Sequence, residues 1–201
     1  MLKSFMFTIS PCAAGCGRSA ISGSNLCFTH QANQEKEIQR IVSYITAHEA
    51  INDLNVSGMN FTDADFSGRQ FFGCDFREVS FTDCVFSKSL MRMCFFDFAK
   101  FSGCDFTKTD MQFLSFAGTQ IHNSRFEGSE LVHVNFLGAF ISKSSFSYSN
   151  LYNSRFINAD LEDLLFVDCN VKRVNFTRSR RKGINFKSSN TAEAVYEMEE
   201  A

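Results

Sequence analysis

Apolar residues recur at every fifth position over more than half of the chain. Between Phe61 and Phe176 all 24 positions of this row are apolar. An α-helix turns by about 100° per residue, so five-residue steps would spread the row around its circumference. In a straight strand odd steps alternate between faces, so half of the row would face water. The row can face one interior only if the chain turns a corner every five residues, which is typical of a solenoid.

Two further columns have the same period. The residue two positions before each apolar centre is mostly small, as at Ala64, Cys74 and Ser124, which suits a narrow packed tube. The residue directly before the centre is often Asp or Asn, as at Asp65 and Asn135. Such side chains bond to nearby backbone and favour corners. The pattern therefore predicts an all-β solenoid.

The segments ADFSG (64–68), CDFRE (74–78), CDFTK (104–108) and ADLED (159–163) show the repeat unit most clearly. With them, the chain resembles the pentapeptide-repeat family. The resemblance implies a right-handed quadrilateral β-helix in which one coil, a full circuit of the chain, contains four pentapeptides. The 24 units then correspond to about six coils. We expect this β-helix to occupy residues 55–190.

The segment 1–32 contains four residues with the spacing of metal ligands, Cys12-x3-Cys16-x10-Cys27-x2-His30. Two short-spaced pairs separated by a loop are typical of tetrahedral Zn²⁺ sites. Four protein ligands leave no open position for chemistry, so we expect a structural zinc module. The alternative is three ordinary thiols and a surface histidine.

Both ends of the β-helix need covering, because solenoid ends expose core and unpaired strand edges. Residues 33–54 read as an amphipathic helix with Ile38, Ile41 and Ile45 on one side, and we expect it to cap the N-terminal end. A partner-binding helix is the alternative. The acidic tail, 191–201, is expected to form at most a short helix near the C-terminal end.

Outward apolar residues concentrate on two adjacent sides of the predicted tube, and contiguous exposed apolar surface marks interaction sites. We name this set the apolar ridge. The alternative is scattered surface residues, which are normal. The ridge comprises Phe72, Leu90, Met93, Phe95, Phe98, Phe113, Val132, Leu137, Tyr152 and Ile157.

Charge is unevenly distributed along the chain. The formal net charge is −2, which excludes a globally basic nucleic-acid binder, but residues 171–187 contain seven bases and no acid. This segment could be a solvated edge coil, a guard against end-to-end aggregation, or a phosphate-binding patch. No stretch approaches the roughly 20 apolar residues of a membrane span, and we expect a cytoplasmic protein.

Nothing in the sequence forms a catalytic constellation, and a tube filled by side chains offers no natural pocket for a small-molecule substrate. We therefore expect a non-enzymatic scaffold that uses the apolar ridge to bind a protein partner or a second copy of itself. The family resemblance implies alternatives: a DNA mimic that binds a type II topoisomerase and protects it from quinolones, or an effector-associated protein. The modest acidity and the basic C-terminal coil depart from the DNA-mimic pattern. Nucleic-acid binding through the zinc module and the bases of 171–187 is a further, weaker alternative.

Overall fold

A computed structural model describes residues 10–197 and contains one α-helix followed by twelve three-residue strands. The helix α1 spans Gln34–Ala47. The strands are β1 (Ala50–Asn52), β2 (Asn60–Thr62), β3 (Gln70–Phe72), β4 (Ser80–Thr82), β5 (Leu90–Arg92), β6 (Lys100–Ser102), β7 (Asp110–Gln112), β8 (Gln120–His122), β9 (Glu130–Val132), β10 (Phe140–Ser142), β11 (Asp160–Glu162) and β12 (Arg180–Lys182).

The strands pair in parallel with a constant offset of twenty residues, as in Ile51 with Phe71. One sheet has the order β1-β3-β5-β7-β9, and we call it face A; the other, β12-β11-β10-β8-β6-β4-β2, is face C. Parallel bridges such as Asn55 with Asp75 form face B, and bridges such as Asp65 with Val85 form face D. Twenty residues over four faces give four pentapeptides per coil. The predicted all-parallel β-solenoid is confirmed.

The solenoid is longer than the expected six coils. Pairing starts at Ala50 with Gln70 and continues to Asn175 with Val195, which gives about seven coils. The expectation counted only the unbroken apolar row from Phe61 to Phe176, which Arg181 interrupts. Backbone pairing does not require an apolar centre, so β12 still pairs with β11 while the Arg181 guanidinium lies outside, 4.8 Å from the Tyr196 ring centre.

Stacked phenylalanine rings fill the interior. On face D, the rings of Phe86, Phe106, Phe126 and Phe146 follow one another at centroid distances of 4.7–4.8 Å. This distance equals the spacing of paired strands, about 4.8 Å, so backbone pairing sets the stacking. The columns of the opposite faces D and B meet edge to face across the interior, as in Phe146 with Phe156 at 90°. Both arrangements suit the aromatic quadrupole.

Most hydroxyls and thiols of the small inward column are hydrogen-bonded, although the Ser89 hydroxyl is buried without a partner among the described residues. The Cys104 thiol donates to the Phe81 carbonyl at 3.5 Å, and the Ser129 hydroxyl donates to the Phe106 carbonyl at 2.7 Å. Cysteine and serine therefore have the same role, a small inward donor to the carbonyl of a centre in the preceding coil. The cysteine column is part of the core and needs no redox chemistry to explain it.

The N-terminal end of the solenoid is covered by α1, which is shorter than the expected 33–54. Asn33 accepts the Lys36 amide at 2.9 Å as N-cap, and Ile41 and Ile45 are fully buried in the core. The helix ends at Ala47 because residues 50–52 already form β1, the first strand of the solenoid. No helix in the described part of the chain has the length and apolar character needed to cross a bilayer.

The C-terminal end is covered by a 3₁₀ turn, Thr191–Glu193, and by Val195, which accepts the Phe176 amide. The expected β-helix boundary at residue 190 is therefore exceeded by pairing at Val195. Residues 198–201 of the acidic tail lie outside the described residues, as do residues 1–9.

Corner residues adopt positive φ, and at several glycine corners, Gly103 among them, a side chain of the preceding coil also lies against the position that a Cβ would take. Gly103 has φ +67°, and the Asp83 carboxylate from the preceding coil lies against the position that a Cβ would take. Gly68 has nearly the same φ, +66°, but faces open space. Substitution at Gly68 therefore tests the cost of backbone strain alone, and substitution at Gly103 tests strain together with steric contact.

We predict that Gly103→Ala lowers the free energy of unfolding by at least about 1 kcal/mol more than Gly68→Ala, because only the former also displaces a neighbour. Urea titration followed by circular dichroism measures both variants. In an Asp83→Gly background the extra cost should disappear. Equal costs for both single variants would contradict this account of the corner.

Candidate functional site

The predicted ligand residues converge at one point beside the N-terminal end of the solenoid. The ligand atoms of Cys12, Cys16, Cys27 and His30 all lie within 4.8 Å of one another. Cys16 Sγ is 3.7 Å from Cys27 Sγ, and His30 Nδ1 is 3.4 Å from the sulfurs of Cys12 and Cys27. This cluster could hold a metal ion.

Local backbone structure positions each ligand pair. After Cys12, a turn closes with the Gly15 amide donating to the Cys12 carbonyl at 2.9 Å, and Gly15 and Gly17 have positive φ. A 3₁₀ turn, Phe28–His30, follows Cys27 and directs the His30 ring toward the sulfurs. Glycine tolerates such φ values without steric cost, which explains its place beside Cys16.

Hydrogen bonds around the sulfurs shift their acidity in opposite directions. The Cys27 amide donates to Cys12 Sγ at 3.3 Å and lowers the pKa of the Cys12 thiol. Burial opposes ionisation of Cys27, but bonds from Thr29 and Cys16 outweigh it, so the pKa of Cys27 is also lowered. The Arg18 amide acts to lower the pKa of Cys16, yet desolvation and the neighbouring sulfurs raise it. The pKa is therefore lowered at two of the three sulfurs and raised at the third.

Polar side chains beside the cluster contact the ligands. Thr29 Oγ1 lies 3.2 Å from Cys27 Sγ and accepts Arg18 Nη1 at 2.8 Å. Thr29 therefore connects a ligand to a cationic side chain across the cluster. Neither Thr29 nor Arg18 was predicted as part of the site, although each lies within two positions of a ligand, where supporting contacts are common.

The apolar ridge is only partly exposed. Its most exposed members are Phe98 at 66%, Phe113 at 59%, Met93 and Leu137. The other six are half-buried: Phe72, Leu90, Phe95, Val132, Tyr152 and Ile157. The exposed members lie at the corners and along face B.

Ring contacts extend the ridge toward the C-terminal end. The ring of Phe113 stacks on His133 at 5.1 Å, His133 meets Tyr152 edge to face at 6.1 Å, and Arg173 lies 5.9 Å above the Tyr152 ring. His133 and Arg173 were absent from the predicted ridge, since neither is apolar. Both residues lie at multiples of twenty residues from Met93 and Phe113, and this spacing could have identified them from the sequence.

Ion pairs between successive coils neutralise much of the surface charge. Glu162 pairs with Lys182, Asp160 with Arg180, and Glu193 with Lys172, so several of the bases in 171–187 already have acidic neighbours. Proximity to Lys182 lowers the pKa of Glu162, and Arg180 lowers that of Asp160. The basic segment is thus less of an isolated positive patch than its sequence implies.

Face C has a shallow groove of about 680 Å³, and it contains an exposed pair of the kind used in nucleophilic catalysis. His122 Nδ1 lies 2.9 Å from Ser142 Oγ. In a catalytic triad the acid orients the histidine, but here Glu162 is in register with Ser142 and its carboxylate bonds Lys182. The acid therefore lies next to the serine and not next to the histidine, so the three residues do not form a triad.

Comparison with known proteins agrees with the architecture. The family model described as "Pentapeptide repeat region" matches residues 119–196, and that described as "Pentapeptide repeats (8 copies)" matches 79–112 and 96–128. Together they cover more than half of the chain. The chain belongs to the pentapeptide repeat family. No curated protein sequence matches it.

Solved structures of other pentapeptide repeat proteins are similar to this chain. HetL from Nostoc sp. strain PCC 7120 has 13% identity and a TM-score of 0.38, covering 80% of this chain and 96% of its own. Rfr23 from Cyanothece 51142 has 12% identity and a TM-score of 0.42, covering 79% and 98%. QnrB1, a plasmid-mediated fluoroquinolone resistance protein, has 20% identity and a TM-score of 0.39, covering 70% and 81%.

We predict that the thiols of the inward column stay unreactive in the native protein. Burial raises the pKa of Cys104 to about 12, and it also raises that of Cys84 and Cys169, so at pH 8 these groups stay protonated and shielded. Maleimide labelling of native protein after chelation, read by mass spectrometry, should modify only Cys12, Cys16 and Cys27. Unfolding in guanidinium should expose all eight cysteines. Modification of Cys104 in the native state would contradict this prediction.

Proposed function

We propose that the protein is a non-enzymatic scaffold that binds another protein chain through the apolar ridge. The exposure of Phe98, Phe113, Met93 and Leu137 is the observation that carries this proposal. Large apolar side chains on one continuous region are stabilised when a partner covers them. Aromatic residues and methionine are also enriched at interface cores.

The rigidity of the rod supports this function. Phe98 lies against Gly118, where an added Cβ would meet its ring, and Phe113 is held by the stacked His133 ring. Side chains that are already ordered lose less entropy when a partner binds. The ridge can therefore act as a preformed surface with little rearrangement.

The cluster of three cysteines and His30 fits Zn²⁺, and we include a structural zinc ion in the proposal. Zn–S bonds of about 2.3 Å and Zn–N bonds of about 2.0 Å in a tetrahedron place sulfurs about 3.8 Å apart and sulfur and nitrogen about 3.5 Å apart. The distances of 3.7 Å and 3.4 Å agree with these values. All eight cysteines are free thiols, which supports a cytoplasmic location.

The DNA-mimic alternative has less support. A mimic of duplex DNA must present acidic groups that the partner can bind in place of phosphates. Here Asp75 is bound by Arg77, Asp110 by Arg92, and Asp160 by Arg180. These acids already have cationic partners within the chain, whereas the exposed apolar members of the ridge do not depend on charge.

We predict that Phe98→Asp and Phe113→Asp each weaken partner binding at least about tenfold, because a buried unpaired carboxylate costs more than the lost contact. Affinity purification from cell extract identifies the partner, and light scattering of the pure protein over a concentration series detects self-association. Phe140→Asp on face C is the matched control, since Phe140 is exposed to 57% but lies outside the ridge. Equal loss in all three variants, or none, would overturn the ridge as the interface.

We predict one zinc ion per purified chain by elemental analysis. Cys27→Ser and His30→Ala should each reduce the zinc content to a small fraction, because a structural site needs all four ligands. His122→Ala, which removes a histidine from face C, should leave it unchanged. A protein without zinc after refolding in zinc-containing buffer would contradict the assignment.

A further inference from the structure

Ser22, in the loop between Cys16 and Cys27, pairs with the first coil in the way that each later coil pairs with the coil before it. In the second coil on face B, the Asp75 amide donates to the Leu54 carbonyl and the Asp75 carbonyl accepts the Val56 amide, so a preceding coil satisfies both groups. Asn55 occupies the same position in the first coil and has no preceding coil. There the Asn55 amide donates to Ser22 Oγ at 2.8 Å, and the Asn55 carbonyl accepts the Ser22 amide at 2.8 Å.

The Ser22 segment is also anchored by side chains. The Asn55 side-chain amide donates to the Ala20 carbonyl at 2.9 Å, and Arg40 of α1 donates to the Ser22 carbonyl at 2.6 Å. Ile21 and Phe28 are buried and belong to the same apolar core as the solenoid interior. The segment is therefore a structural continuation of the β-helix, and the cluster is not an independent appendage.

The metal ligands enclose this segment. Ser22 lies in the loop between Cys16 and Cys27, and these two sulfurs close the loop at 3.7 Å. A loop this small, with Gly17 and Gly23 in positive φ, buries few side chains of its own. Metal binding supplies the folding free energy of such modules. The position of Ser22 on Asn55 should then depend on the metal.

We propose that the pairing of Ser22 with the first coil depends on the metal. With metal bound, Ser22 pairs with Asn55, and when the metal leaves, this edge of the first coil opens. We call this metal-dependent pairing the conditional cap. The inference rests on the metal site proposed above. The later coils pair with one another and need no metal. Loss of the metal should therefore open the N-terminal end of the solenoid while the remaining coils stay folded.

The opening also affects one end of the apolar ridge. A cleft of about 470 Å³ lies between the metal cluster and face B, with Arg18 and Thr29 on one wall and Arg77 and Phe98 on the other. One wall belongs to the metal loop, so the cleft exists only when that loop is folded. Binding at the Phe98 end of the ridge should thus depend on metal, and binding at Leu137 should not.

Hydrogen–deuterium exchange of the full chain, with zinc and after treatment with a chelator and reductant, tests this proposal. The amides of Asn55 and Ser22, which this contact protects, should exchange at least about tenfold faster without metal, whereas peptides covering 110–140 should not change. His30→Ala should reproduce the effect of chelation, and His122→Ala should behave as wild type. Ser22→Ala, which keeps all four ligands, should bind zinc normally and still exchange faster at Asn55.

The outcomes separate the two proposals. A protein that binds no zinc fails the metal assignment itself. If zinc binds with full stoichiometry but exchange at Asn55 and Ser22 is the same with and without it, the conditional cap is wrong although the metal site stands. Faster exchange through all coils on chelation would also overturn the cap, since the opening would then be global.

Discussion

Backbone pairing between successive coils is the constraint on which the rest of the structure depends. Each coil must lie about one strand spacing above the last, with a register of twenty residues. This fixes the cross-section of the interior, because every coil has to present the same outline as its neighbours. A large centre such as Phe106 and a small neighbour such as Cys104 fill that outline, and the next coil repeats the arrangement. Interior size and backbone register thus reinforce each other.

The same constraint organises the outside of the rod. Residues twenty apart form columns, so a property that recurs with this period becomes a continuous strip of surface. Met93, Phe113 and His133 form such a strip at a corner, and the pairs of Asp160 with Arg180 and Glu162 with Lys182 form another on face C. An apolar strip and a neutralised charged strip are placed on different sides of one rigid body. The outward residues of one strip can therefore change without changing the interior.

Much of this could be predicted from the sequence because the repeat leaves few alternatives. Centres such as Phe126 had to face inward, and the ligand spacing of Cys12, Cys16, Cys27 and His30 indicated a cluster before any geometry was known. The ends were harder to predict, because pairing at Arg181 and Val195 depends on backbone groups that have no sequence signature. Exposure along the ridge also depended on neighbours: Phe95 is half-buried, whereas Phe98 at the next corner is exposed. The contact of Ser22 with Asn55 could not be read from the sequence at all, since it joins segments of different periodicity.

The twenty-residue register has a consequence for insertions and deletions. Losing one pentapeptide would leave the inward row unbroken, so the core could still form. Every residue after the deletion, however, would shift by a quarter circuit, and Leu137 would move to a different side from Phe98. Only changes of twenty residues keep the two halves of the apolar ridge aligned. Length changes that preserve the ridge are therefore whole circuits of the chain.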